Sequence, residues 1–342
     1  MIKRSHRGKR LAAAAAGGAL MLLHGWAVLA LYCWFSGHPA LAWGAAAGYA
    51  VATAAVFKLA RTWPHGALVS LVPFAAVAVW WTGRTPETGL HYPVETELAA
   101  KLVVDGSLIT VNGLRDFRYR SETDFDPRWA TRTFDLGQLE HVDFFFNYWG
   151  VPEVAHLITS FVFKDQPPLA VSIELRAEAG EPNTLLRGFF KQYELHYLWA
   201  DERDLIPLHA NCRREQVMLH RSSLTPDQGG RLLLDMAQRS NALEEDPVFY
   251  NTLTDNCTNV IVRHVDRAQG RVVPWYRQRL LTGKYERLGY DEGWLVHTLP
   301  WEQHRAAAMI NGRAAGAAAS PDFSRLIRTH LPVPVVEQYP AE

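Results

Sequence analysis

The chain has 342 residues, 48% of them hydrophobic and 20% charged, with a formal net charge of zero that averages over two unlike parts. Between Leu11 and Gly83 the only charged residues are Lys58 and Arg61, five basic residues crowd the first ten positions, and from Arg84 onward 28 basic residues face 35 acidic ones. That acidic remainder excludes a nucleic-acid binder, which needs clustered positive charge to displace phosphate counterions. Three cysteines, Cys33, Cys212 and Cys257, are too few for a disulfide framework and wrongly spaced for a zinc site, so no metal is expected.

Leu11 to Phe35, Ala40 to Phe57 and Gly66 to Thr82 are apolar runs of about the 17 to 25 residues that an α-helix needs to cross a bilayer. They predict a membrane domain over residues 1–83 with three transmembrane helices. The first connector, Ser36 to Pro39, has no basic residue, whereas the second, Lys58 to His65, has Lys58 and Arg61. With the basic start, the positive-inside rule puts the N-terminus and the second connector in the cytoplasm and everything after the third span outside. The competing reading of the first run is a cleaved signal peptide, since Ala40-Leu41-Ala42 has the form of a cleavage site. His24 in the first span reads as a satisfied polar residue, and Trp80 and Trp81 as an interfacial belt.

Arg84 to Val94, with two Pro and one Gly, reads as a linker, and residues 95–342 as one extracytoplasmic domain. Leu102 to Val111 and Thr131 to Leu136 have strand character, and Leu139 to Trp149 is ambiguous. Leu157 to Phe163 and Leu169 to Arg176 are a strand pair across a Lys164-to-Pro168 turn. In the second strand Leu169, Val171, Ile173 and Leu175 fall on a packing face, and Ala170, Ser172, Glu174 and Arg176 on a face available for chemistry. Phe144, Phe145, Phe146, Tyr148 and Trp149 read as core, with an acyl chain or a bilayer surface as the alternative. Asp201-Glu202-Arg203-Asp204 reads as a solvated or salt-bridged turn. Helices are predicted over Asp227 to Leu243 and Cys257 to Gln269. Separate strand pairs and helices make the domain α+β.

Tyr250 to Ile261 is the segment richest in chemistry. A turn full of Asn, Asp and Thr ends at Cys257, where an apolar helical pattern starts. A thiol at a helix N-terminus sees the partial positive charge of unpaired amides, which favours the thiolate, and the same amides can hold an oxyanion. A half-buried structural thiol and a disulfide with Cys212 are the other readings. A Cys nucleophile needs an imidazole and a third group to orient it. His156, at the start of the Leu157 strand, would share a face with Glu174 of the neighbouring strand. His264, seven residues along the helix from Cys257, would lie about 10 Å away, too far to share its proton.

Trp129 to Asp135, Ala155-His156 with Ser160-Phe161, Ser172 to Arg176, Tyr193 to Leu195, Asp201 to Asp204, Tyr250 to Thr258, Ile310-Asn311, Asp322 to Ser324 and Ile327-Arg328 resemble the Lnb N-terminal periplasmic domain family, over roughly residues 126–332. That family is similar to the circularly permuted branch of the NlpC-type papain-like thiol enzymes, in which His precedes Cys. The resemblance implies a permuted papain-like fold, a Cys257 nucleophile, a His156 base and a polar third residue, taken as Glu174. Tyr250, Asn256 and Thr258 would form the substrate or oxyanion region. It also implies a bacterial inner-membrane acyltransferase that moves a fatty acyl chain from a membrane phospholipid, through a thioester, to an amine of a lipoprotein. Phe144 to Trp149 and Trp275-Tyr276 would keep water from the thioester. A thiolate, an imidazole and backbone amides suffice for this reaction, so no cofactor is expected. The alternatives are a cysteine peptidase or amidase of cell-wall peptide and a non-catalytic envelope module.

Overall fold

The computed structural model describes residues 2–87, 89–270 and 281–331. Trp275-Tyr276, expected to shield the site, lie outside the described residues. The chain forms two compact units, Met1–Thr88 with Gly180–Tyr193, and Gly89–Ala179 with Glu194–Glu342. The division expected at residues 83 to 95 therefore has a second break, because a segment between two strands joins the first unit.

The first unit contains three long helices, α1 (Ile2–Trp34), α2 (Pro39–Leu59) and α3 (Trp63–Thr82). Candidate spans run Arg10–Trp34, Pro39–Leu59 and Trp63–Thr82, and the shortest, 20 residues, is about 30 Å long, enough for the hydrocarbon core. Pro39 and Pro64 occupy the first turns of α2 and α3, where a missing N–H costs nothing. His24 is satisfied, with Nδ1 2.7 Å from Tyr49 Oη and Nε2 3.2 Å from Ser70 Oγ. The inserted segment carries α4 (Leu185–Gly188). Phe189 and Phe190 pack with Trp80, Trp81, Ala30 and Cys33, and Arg187 donates to Ser36 Oγ. Trp81 is thus a packed residue of this unit as well as a terminal aromatic.

The second unit is built on one eight-stranded sheet. Its strands are β1 (Lys101–Asp105), β2 (Leu108–Arg115), β5 (Trp129–Asp135), β6 (Leu139–Tyr148), β7 (Ala155–Phe163), β8 (Leu169–Arg176), β9 (Glu194–Asp201) and β10 (Gln216–Arg221). They are ordered β1-β2-β9-β8-β7-β6-β10, with β5 also paired to β2. Two short strands, β3 (Arg118–Tyr119) and β4 (Phe125–Asp126), form a separate pair. The single strand expected over Leu102 to Val111 is instead a hairpin. Gly106, at φ +59, takes the left-handed conformation that the tight turn between β1 and β2 requires. The ambiguous Leu139 to Trp149 run is a strand to Tyr148, since it pairs with β7 on one side and β10 on the other.

Helices cover both faces. On one lie α6 (Pro226–Glu245), opened by a Thr225–Gln228 capping box, and α7 (Cys257–Gln269), stopped by Gly270 at φ +68. On the other, α5 (Glu202–Pro207), α10 (Asn311–Ala317) and α11 (Phe323–Leu326) bury Leu205, Ile206, Ala314 and Phe323 against Phe145, Ile158, Ala170 and Leu198. Two further helices, α8 (Lys284–Asp291) and α9 (Trp301–Ala308), complete the unit. Phe144, Phe145, Phe146 and Tyr148 are buried as expected of core, whereas Trp149 is exposed. The Asp201 to Asp204 run is salt-bridged, as one of the two expectations had it, and not solvated. Glu202 accepts from Ser160 and Arg328, and Asp204 takes the Arg115 guanidinium and the Phe117 N–H, so these carboxylates are buried with partners.

Candidate functional site

His156 is the second residue of β7, and Ile158 pairs with Ser172 of β8. Continuing that antiparallel register by two places brings His156 beside Glu174, and the period of two puts Ser172 and Glu174 on the same face. The side chains meet accordingly. His156 Nε2 lies 2.6 Å from Ser172 Oγ and 3.2 Å from Glu174 Oε1, and Ser172 donates to the same carboxylate oxygen at 2.6 Å. Nε2 is thereby engaged, and Nδ1 is the ring nitrogen left for a thiol. The chemical face of β8 is narrower than the alternation suggested. Ala170 and Ser172 are fully buried beneath helices, and only the Glu174 end opens.

Cys257 arrives from the opposite helix layer as the first residue of α7. The turn before it is held by its own polar residues, which explains the run of Asn and Thr. Asn251 Oδ1 accepts the Leu253 and Thr254 N–H groups, and Asn256, the N-cap, accepts from the Asn259 N–H and donates to the Thr252 carbonyl. Thr258 is fully buried with Oγ1 3.8 Å from Cys257 Sγ, and Tyr250 is buried nearby. All three cysteines are free, so the Cys212–Cys257 disulfide does not form.

Burial opposes charge on each of the three central groups, yet the charges win. Burial raises the Cys257 thiol, but the neighbouring His156, the Leu157 backbone N–H and the Thr258 hydroxyl bring it below its usual value. Burial lowers His156, but Glu174 and Cys257 hold it well above the ordinary imidazole range. Glu174 is held far below the usual carboxylate range by His156 and Ser172. These directions favour a thiolate–imidazolium pair, oriented by a carboxylate and a serine. Such a pair supplies a nucleophile and a proton donor in one place.

His264 is placed elsewhere. Nε2 is 2.6 Å from Tyr197 Oη and Nδ1 2.6 Å from Asp235, and burial lowers its pKa to about 4. Two contributors were missed from sequence. Ser172 was visible as a same-face neighbour of Glu174 but was given no role. His209, stacked on His156 with ring centroids 5.6 Å apart and planes 16° apart, comes from a π-helical turn (Leu208–Cys212) that no periodic pattern foretells.

The fold and site together define a membrane protein with three apolar spans and an α+β domain that presents a buried Cys–His–carboxylate cluster. Residues 125–283 match the Lnb N-terminal periplasmic domain family, the family its motifs resemble, and this range contains His156, Glu174 and Cys257. The chain is accordingly a membrane protein with a periplasmic domain. No curated protein and no solved structure matches it.

Proposed function

We propose that this protein is a membrane-anchored thiol acyltransferase that moves an acyl chain from a phospholipid to an amine of a lipoprotein. Its second unit would then be a permuted papain-like domain on the periplasmic side of a bacterial inner membrane, with the N-terminus in the cytoplasm. The observation that carries the reading is the buried Cys257 at a helix N-terminus, next to an imidazole whose far nitrogen is held by Glu174 and Ser172.

In the first half-reaction Cys257 Sγ attacks the ester carbonyl carbon, and the bond to the lysolipid oxygen breaks as His156 gives that oxygen its proton. The helix-terminal amides near Cys257 would hold the oxyanion. In the second half, an amine nitrogen attacks the thioester carbonyl, His156 takes its proton, and the C–S bond breaks to restore the thiolate. The family match supports a periplasmic setting, and apolar spans in the same chain keep the thiol near lipid, which raises the effective concentration of ester.

Intact-mass analysis of the protein incubated with phosphatidylcholine vesicles, whose headgroup has no primary amine, tests this reading. An acyl adduct should appear on Cys257 and be discharged by an amine much faster than by buffer. Cleavage of a cell-wall peptide with no adduct at any time would point to the peptidase or amidase instead. Neither an adduct nor cleavage would leave Cys257 a structural thiol.

A further inference from the structure

The acceptor amine poses a proton problem that one imidazole does not solve. At neutral pH an aliphatic amine is an ammonium ion, and it has two protons to lose before an amide results. After acylation His156 is neutral and accepts one. The other needs a second acceptor close by.

We propose that His209, paired with Glu215, is a second base of this site, removing the first proton from the acceptor's ammonium group. The assignment rests on the acyl-transfer reading given above. His209 sits in the π-helical turn after α5, an irregularity that recurs at functional sites. Its ring lies parallel to that of His156, 5.6 Å away. Nδ1 is fixed 2.6 Å from Glu215 Oε2, and no described group hydrogen-bonds Nε2.

The chain makes a tight return to create this pair. Arg214 takes the left-handed conformation at φ 56, which a non-glycine residue adopts only at a cost. The Glu215 N–H then donates to the His209 carbonyl, and Asn311 clamps the Glu215 carbonyl at 2.6 Å. Glu215 also lines a cleft of about 570 Å³ with Tyr148, Trp149, Arg213 and Arg305, a route for a proton to reach solvent.

The charged groups facing His209 are His156 from β7, Glu174 from β8, and Glu215 and Arg213 from its own return turn. Burial, His156 and Arg213 outweigh Glu215 and hold the His209 pKa below the ordinary imidazole value. That direction favours the neutral ring a base must have, whereas the pKa of resting His156 is shifted the opposite way. The protons balance as follows. The ammonium gives one to His209 Nε2, and from there it leaves through the cleft. The free amine attacks the thioester, its second proton goes to His156, and the C–S bond breaks, which restores the thiolate–imidazolium pair and releases the amide.

The test uses full-length protein in phosphatidylcholine vesicles, pre-acylated on Cys257, and two amines. One is a diacylated lipopeptide with an N-terminal cysteine, an ammonium at neutral pH; the other is methoxyamine, whose nitrogen is already unprotonated there. In His209→Gln, discharge by the lipopeptide should slow roughly 5- to 10-fold at pH 7, because an α-amine with a pKa of about 7.7 to 8.0 is only about one-sixth to one-tenth unprotonated there. Discharge by methoxyamine should slow far less, and the lipopeptide deficit should shrink as pH rises and the free amine becomes abundant. Glu215→Gln should move both readouts the same way by a smaller factor, and it decides the matter if His209→Gln does not fold. Equal slowing of the two amines, no slowing of either, or a deficit independent of pH would overturn the second base. Failure of acylation in the variant alone would do so too, by placing His209 in thiol activation. Absence of an adduct on the wild-type protein would remove the transferase reading itself.

Discussion

Glu174→Gln isolates the charge that holds the thiolate–imidazolium pair together. Glutamine keeps the shape and can still accept from Ser172, so the substitution removes one negative charge and little else. Glu174 Oε1 is 3.2 Å from His156 Nε2. At that separation an effective dielectric of 20 gives an attraction of about 5 kcal/mol, and one of 40 about half that. Since one pKa unit corresponds to about 1.4 kcal/mol, the affinity of His156 for its proton should fall by about two to four units. The equilibrium between the ion pair and the neutral thiol with neutral imidazole shifts by the same factor, so the neutral form should predominate.

The assay is the pH dependence of thiolate absorbance, with the rate of iodoacetamide alkylation as a second readout. In the wild type the Cys257 pKa is lowered and the His156 pKa raised, so the pair exists between the two. The thiolate signal should vanish as pH falls through the lowered Cys257 value, and catalysis should fail as pH rises through the raised His156 value. In Glu174→Gln the acid limb should move up by at least one unit, because the imidazolium no longer stabilises the thiolate, and activity should drop but persist. An unchanged alkylation profile in Glu174→Gln, with a shifted one in His156→Ala, would show that the carboxylate does not tune the pair.

Cys257→Ala and His156→Ala should each abolish acyl-adduct formation while circular dichroism and thermal unfolding stay near wild type, whereas His264→Ala should retain adduct formation and lose stability, because the buried Tyr197 hydroxyl would lose its partner while Asp235 keeps only Arg267 among the described residues. Stability should fall on acidification from about 6.5 to about 4. His141, His264 and His304 are each lowered to about 4 by burial, so in that window the unfolded chain binds more protons than the folded one. A melting temperature flat across it would refute this. For topology, a single cysteine introduced near Arg61 should be labelled only from the cytoplasmic side and one at position 120 only from outside, and the reverse pattern would remove the periplasmic orientation.

Much of this protein is legible in its sequence because the signals are local. Length and apolarity marked the three spans to within a few residues, since a bilayer imposes one length on every crossing helix. The α7 helix was legible from Asn256 to Gln269 because an N-cap, an amphipathic period and a terminal glycine act within a few turns. His156 and Glu174 could be paired in advance because adjacent antiparallel strands and a period of two fix which side chains share a face. The Asp105-Gly106 turn was legible in principle, since Asp-Gly between two apolar runs is a hairpin signal, but reading Leu102 to Val111 as one strand passes over it.

What only the tertiary structure decided is where distant segments meet. Sequence gave no reason for Gly180–Tyr193 to join the apolar helices, since Phe189 and Phe190 choose their neighbours through packing rather than any local pattern. Nor could it show that the carboxylates of Asp201 to Asp204 are buried, because their partners Arg115 and Arg328 lie far away in the chain. The same holds for the chemistry. Cys257 reaches His156 only because α7 packs across the ends of β7 and β8, and His209 reaches it from the opposite layer through a π-helical turn. A thiol's charge depends on what surrounds it in three dimensions, and low dielectric magnifies each neighbour, so the residue types were written in the chain but their ionisation was settled by the fold.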